Sequence, residues 1–446
     1  MRAQHHLKPR QLTTAQTHIN HDYSTKDMRI TIVGAGYVGH VVSACLASLD
    51  HKVTVYDIDH DKLESLQRGE PVIHEPGLED LVEQARNEEN LLPEKDLGKA
   101  VQGSDAVFLC VGTPSSEDSS VNLDYHYAAV DELKPFIDDT PVIIKSTVPP
   151  GTAEETRNRL DTPVYNNPEF LKEGTAVDDF LHPDRVVIGG QDEQRAQDLA
   201  TRIYRDVLDD ADLYVTDNAS AELIKYASNA FLATKISYAN ELARICESVG
   251  ADIDDVTTGM ALDERIQDAF FGAGAGYGGS CFPKDTKAII KHAEEHGEHM
   301  RIVQATENVN HEQRQRIIDT VEQRVDDFED ATIGVLGLAF KPGTDDIRGS
   351  PAIDVVEHFQ DRAGLVKAHD PQAMETFKNR VGEQNAAYEN TPRGAAQNTD
   401  AVVVLTAWDD YTKLDFDALN TGYVYDGRNI YANKDFDVDV DYVGKP

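Results

Sequence analysis

The run Arg29-Ile30-Thr31-Ile32-Val33 is apolar and β-rich, breaks at Gly34-Ala35-Gly36-Tyr37-Val38-Gly39, and resumes as the helical stretch Val41-Val42-Ser43-Ala44-Cys45-Leu46-Ala47. Strand, G-x-G-x-x-G, helix lets backbone approach a pyrophosphate at a helix N-terminus. Glycines alone could serve any tight turn. Here a second strand, Lys52-Val53-Thr54-Val55-Tyr56, ends in Asp57, and a carboxylate roughly 20 residues beyond the glycines accepts ribose hydroxyls and repels a 2′-phosphate. The combination predicts a parallel α/β domain that takes NAD rather than NADP.

Two more buried-type strands follow. Asp105 to Val111 runs into Gly112-Thr113-Pro114, and Val142 to Thr147 runs into Val148-Pro149-Pro150-Gly151-Thr152. In an open parallel sheet such loops gather at the strand carboxyl ends, the cofactor edge. Cys110, inside one of these strands, reads as core. Near the other end, Ala331 to Phe340 opens into a loop from Lys341 to Pro351, and strands at Val366, Asp400 and Tyr423 repeat the pattern. A second α/β domain without the glycine fingerprint is expected. Its Lys341, Arg348 and Arg428 suit phosphates or carboxylates, although each alone also reads as an ordinary surface cation. Between the halves, residues from about 217 to 260 keep a helical apolar period with few breakers. They predict one long helix, with Lys225 and Asn229 four apart on one face. The fold class is therefore α/β: two Rossmann-like doubly wound domains joined by a long central helix.

The 80 acidic and 42 basic side chains leave a formal net charge of -38. That excess argues against nucleic-acid and anionic-membrane partners, which demand basic patches. It suits a protein that works in high salt, where screening relieves self-repulsion, and predicts a lower melting temperature in dilute buffer. Cys45, Cys110, Cys246 and Cys281 show no C-x-x-C spacing, so neither a metal site nor a disulfide framework is indicated and a reducing cytoplasm fits. No run reaches the roughly 20 apolar residues of a spanning helix. Residues 1–27 read as a disordered extension or a start-site artefact ahead of Met28, and His5, His6, His18 and His21 could bind metal, although their spacing is irregular.

One thiol stands apart. Gly276-Tyr277-Gly278-Gly279-Ser280 delivers Cys281 to Phe282-Pro283-Lys284-Asp285, a helix start in which Pro283 occupies the first turn. Backbone N–H groups near the sulfur favour thiolate. A lone Cys is otherwise often a small buried hydrophobe.

From about residue 28 to 430 the chain resembles the UDP-glucose 6-dehydrogenases of the nucleotide-sugar dehydrogenase superfamily. The motifs are Gly34 to Gly39, Lys145 to Thr152, Asn167-Pro168-Glu169-Phe170-Leu171-Lys172-Glu173-Gly174, Gly278 to Asp285, and the Lys341 to Arg348 loop. The resemblance implies a four-electron oxidation of the glucose C6 alcohol of UDP-glucose to a carboxylate, with two NAD reduced. It divides the chain into an NAD domain at 28–215, a central dimerisation region carrying the cysteine at 216–318, and a UDP-sugar domain at 319–446.

Residue by residue, the resemblance makes Cys281 the thiol that holds the aldehyde as a thiohemiacetal and then a thioester. Lys225 and Asn229 serve the oxyanion and sugar, Asp285 the water, and Thr147 and Glu169 water or proton transfer. Gly34, Gly36, Tyr37, Val38, Gly39, Thr113, Pro114, Thr147, Glu173, Lys284 and Arg348 fall on the cofactor side, with Asp57 and Lys62 at the adenosine ribose. Glu169, Phe170, Leu171, Lys172, Lys225, Asn229, Phe270, Tyr277, Gly278, Lys341 and Arg428 fall on the substrate side. Arg265 reaches the sugar of a neighbouring subunit, which implies a homodimer. The chemistry is coherent, because oxidising an aldehyde by hydride loss first requires a tetrahedral adduct.

Glu169 and Glu173 also fit a structural i,i+4 helical pair. His40, where the family more often has an apolar residue, either touches the pyrophosphate or is a first-turn side chain the fold accommodates. Rival readings are sister enzymes acting on GDP-mannose or UDP-N-acetylmannosamine, and a non-catalytic NAD sensor on the same frame.

Overall fold

The computed structural model describes residues 27–446; the expected N-terminal extension and its four histidines lie outside the described residues, apart from Asp27. The chain parts into two compact units. The first runs up to Thr113 and resumes at Leu123–Glu222; the second comprises Pro114–Asn122 and Leu223–Pro446.

In the first unit, β1 (Arg29–Val33), β2 (Lys52–Tyr56), β3 (Leu91–Pro93), β4 (Ala106–Leu109), β5 (Val142–Ile144), β6 (Val164–Asn166), β7 (Arg185–Gly189) and β8 (Asp212–Thr216) form one sheet. Their order is β3-β2-β1-β4-β5-β6-β7-β8. Pairing is parallel except between β6 and β7, at Asn166 opposite Gly189. Successive side chains of a strand point to opposite faces, and two separate cores record it. Ile30, Ile32 and Phe108 pack into one, while Val33, Val107 and Leu109 pack into the other. Burial on both faces explains why these strands read as continuous apolar runs.

The second unit repeats the device. Its strands β9 (Thr332–Leu336), β10 (Leu365–His369), β11 (Ala386–Tyr388), β12 (Ala401–Val404), β13 (Tyr423–Asp426) and β14 (Asp439–Tyr442) run parallel in the order β11-β10-β9-β12-β13-β14. Strand order reverses beside β9 as it does beside β1, so each sheet has a crevice at its strand carboxyl ends. Just beyond β12, the indole Nε1 of Trp408 donates to Asp370 Oδ2 at 3.1 Å.

The long helix is Asn218–Val249, shorter than the apolar period predicts. Gly250 turns left-handed at φ +74°, and Asp252 caps a new helix, Ile253–Ala261, by accepting from Asp254 N. A glycine followed two residues later by a capping aspartate outweighs a continuing apolar period. No helix among the described residues is long and apolar enough to cross a membrane.

Candidate active site

In the first unit the glycine turn feeds the helix Tyr37–Ser48. A Cβ on Gly39 would sit 1.8 Å from Gly34 O, so the third glycine is required for the helix to close on the strand. One on Gly36 would meet nothing within 4 Å, which leaves the turn open to a ligand. Asp57 Oδ2 accepts from Ala35 N at 2.6 Å and its Oδ1 from Asp59 N at 2.8 Å, while Lys62 Nζ stands 3.4 Å from Oδ2. An open glycine turn on a helix N-terminus, with an aspartate at the next strand end, fits a dinucleotide. His40 is fully buried one residue past Gly39, and neither ring nitrogen has a partner among the described residues. Of its two readings, the accommodated first-turn side chain holds.

Thr113 Oγ1 donates to Thr147 O at 2.8 Å, which ties together two loops at the sheet's carboxyl edge. Pro114 follows directly and begins the Pro114–Asn122 excursion of the second unit. The segment after β6 has no regular structure until a turn at 173–175 leads into the helix Ala176–Leu181, so Glu169 and Glu173 are not a helical pair. Glu169 is buried and accepts from Leu171 N at 2.7 Å. The Phe170 ring lies under the Arg185 guanidinium at 4.2 Å, and Lys172 pairs with Asp179 at 2.8 Å.

The second unit gathers the reactive groups. Cys281 is exposed and is the N-cap residue of the helix Phe282–Glu295, with Pro283 in the first turn and Asp285 N bonded to Cys281 O at 2.8 Å. Lys225 and Asn229 are buried on the long helix. Asp285, 1% exposed, accepts from Asn229 Nδ2 at 2.6 Å and from Lys284 Nζ at 2.7 Å. One buried carboxylate thus joins the helix of Asn229 to the helix of the thiol.

The glycine approach lies against the Lys341–Arg348 loop. A Cβ on Gly278 would stand 2.4 Å from Gly349 O, and Gly279 N donates to Arg348 O at 2.7 Å. The Phe282 ring packs at 5.8 Å from Phe270 and 6.1 Å from Tyr277. Lys341 Nζ lies 5.4 Å from the centre of the Phe340 ring. Arg428 departs from a surface cation: its Nε donates to Leu405 O at 2.6 Å, and its Nη1 to Gly276 O at 3.4 Å. Arg265 pairs with Asp263 at the surface, and the exposed Arg348 pairs with Asp346, whose side chain is buried.

Comparison with known proteins decides the lineage. Residues 28–208 match the NAD binding domain of the UDP-glucose/GDP-mannose dehydrogenase family, 219–312 its central domain and 334–433 its UDP binding domain. The chain belongs to that family. The UDP-glucose 6-dehydrogenase of Rhizobium meliloti is 44% identical over 422 residues, 91% of this chain and 96% of the relative. UDP-glucose 6-dehydrogenase AglM of Haloferax volcanii is 42% identical, over 92% of this chain and 98% of its own length. The structure of a UDP-glucose dehydrogenase from the hyperthermophilic archaeon Pyrobaculum islandicum matches with a TM-score of 0.89 at 37% identity, covering 95% of this chain and 99% of that one. As a dehydrogenase of this family the chain takes NAD as its cofactor.

Sequence reading missed the supports of this dehydrogenase's site. Four polar residues of the helix Arg301–Arg324 hold the glycine approach. Asn310 brackets Tyr277 with bonds to its N (2.8 Å) and O (3.1 Å), and Gln313 donates to Gly274 O at 3.0 Å. Arg314 bridges Tyr277 O, Gly349 O and Asp354. Glu307 accepts from the Tyr277 hydroxyl and from Thr286 Oγ1. Their one signal is a polar stripe at helical spacing, which looks like a solvated face. Glu75, before Pro76-Gly77, was missed likewise.

Proposed function

We propose that the protein oxidises UDP-glucose to UDP-glucuronate, with NAD as acceptor, through a covalent intermediate on Cys281. The observation that carries this reading is the exposed Cys281 at a helix start, one turn from the buried Asn229–Asp285–Lys284 set. NAD bound at the glycine turn supplies the hydride acceptor for both oxidations. Cys281 as thiolate adds to the C6 aldehyde, forming a C–S bond and an oxyanion that gains a proton. The adduct carries C6–H on a tetrahedral carbon, and hydride loss leaves a thioester. Water then attacks, the C–S bond breaks, and the carboxylate departs with the thiolate restored. Lys225 and Asn229 stabilise the oxyanion, a contribution typically worth about a hundredfold or more in rate. Asp285, Thr147 and Glu169 handle water and protons. Phe170, Leu171, Lys172, Phe270, Tyr277, Gly278, Lys341 and Arg428 shape the sugar-nucleotide side, and Glu173, Lys284 and Arg348 the cofactor side.

We also propose a cytoplasmic homodimer. Leu223, Phe231, Tyr238, Ile245 and Val249 of the long helix are 45–69% exposed, and positions seven apart share a helix face. Such a stripe needs cover; a monomer mass by light scattering overturns the dimer. The 88% exposure of the Arg265 side chain supports a role toward the neighbouring subunit.

Pure enzyme offered NAD with UDP-glucose, GDP-mannose or UDP-N-acetylmannosamine tests the function. About two NADH per UDP-glucose is expected, and Cys281→Ser abolishes complete turnover. A ratio of about one, preference for another sugar, or full activity of the variant overturns the reading.

A further inference from the structure

Glu75 lies between the helices His60–Arg68 and Leu78–Asn87 and is 4% exposed. Its Oε2 accepts from the Tyr37 hydroxyl at 2.8 Å and from Gly174 N at 2.9 Å, and its Oε1 accepts from Ala176 N at 2.7 Å. Tyr37 is the first residue of the helix that receives the cofactor turn. Gly174, at φ +87°, directly follows Glu173. One carboxylate therefore holds two segments far apart in sequence, the turn at 34–39 and the segment at 169–176.

We propose that Glu75 is a positioning residue which locks the cofactor turn to the Glu169–Glu173 segment, so that NAD is gripped only when both are in register. A buried carboxylate stays committed to its donors, because removing one leaves charge uncompensated. Burial and the neighbouring Glu75 raise the Tyr37 phenol far above its usual range, so the hydroxyl remains a donor. The alternative is a purely local role, in which Glu75 only supports the start of the helix Ala176–Leu181. Tyr37→Phe separates the two, since it deletes the arm to the turn and leaves both backbone bonds intact.

The assignment rests on NAD binding as proposed above, so affinity and turnover are measured separately. Calorimetry of full-length protein gives Kd for NAD and for UDP, and steady-state assays give kcat and both KM values. Tyr37→Phe is expected to weaken NAD about tenfold, as loss of a hydrogen bond to a charged group does, with UDP affinity unchanged. Its melting temperature should stay within about 2 °C of wild type. Glu75→Ala should weaken NAD by more, about a hundredfold, and the double variant should equal Glu75→Ala alone because that substitution already removes the acceptor of the hydroxyl. Wild-type NAD affinity in Tyr37→Phe, additive losses in the double variant, or parallel loss of UDP binding overturns the assignment. If wild-type protein yields no NADH from UDP-glucose while Tyr37→Phe still weakens NAD, only the proposed substrate fails.

Discussion

The two sheets use one corner in opposite ways. In the first, Gly34 at φ +101° leaves β1, its N donates to Tyr56 O at 2.8 Å, and Asp57 stands at the end of the neighbouring strand. In the second, Gly337 at φ +96° leaves β9, its N donates to His369 O at 2.9 Å, and Asp370 occupies the matching place. Asp57 takes two backbone donors and the more distant Lys62. Asp370, 2% exposed, takes Leu338 N, Ala339 N, Trp408 Nε1, Gln372 N and Ala373 N. A carboxylate offers about four lone-pair sites. Asp57 keeps capacity for ribose hydroxyls, whereas Asp370 is filled by its own chain. The same topology thus makes a ligand corner in one unit and a structural corner in the other.

The largest effect that tests this contrast is at the glycines. A Cβ on Gly337 would lie 2.4 Å from Thr406 Cβ, against 2.9 Å from Cys110 backbone for Gly34. Gly337→Ala should cost on the order of 3 kcal/mol from strain and overlap. Gly34→Ala should cost less stability and lose NAD binding; urea melts and calorimetry read both, and equal stability losses would break the contrast. Next come the aspartates. Asp370→Asn should destabilise by about 2 kcal/mol with NAD affinity intact, and Asp57→Asn should weaken NAD about tenfold. An Asp370 variant that loses NAD would mean the corners are not divided in this way.

The smallest effect is pH-dependent. Burial pushes His40 and His126, both in the first unit, down to about 4, and pushes Glu222 up to about 7. The histidines contribute stability that is present above about 6.5 and lost as pH falls toward 4. Glu222 acts oppositely, since its contribution is greatest below about 4.5 and is lost as pH rises toward 7. Two groups outweigh one, so stability should fall between pH 6.5 and 4, and His40→Leu should flatten that limb. An unchanged acid limb in the variant refutes the assignment to His40.

Legibility followed local rules. The strand at Arg29–Val33, the helix after Gly36 and the helix start at Cys281 were readable, because glycine spacing, β-branching and an N-terminal proline act within a few residues. The second sheet was readable as a repeat of the first, but the filling of its corner was not, since Asp370 meets Leu338, Ala339 and Trp408 only through the fold. The overlong helix shows an apolar period masking a stop at Gly250. Glu75, Asn310 and Arg314 were hidden for another reason. Each serves groups at least 33 positions away, and nothing in their own neighbourhood separates such a residue from a surface one.

The bond between Trp408 and Asp370 also makes the protein optically addressable. The chain has a single tryptophan, so its indole emission reports only the filled corner of the second unit, while circular dichroism sums the helices of both. Denaturation followed by the two signals gives one midpoint if the units unfold together and two if they do not, without any label or substitution.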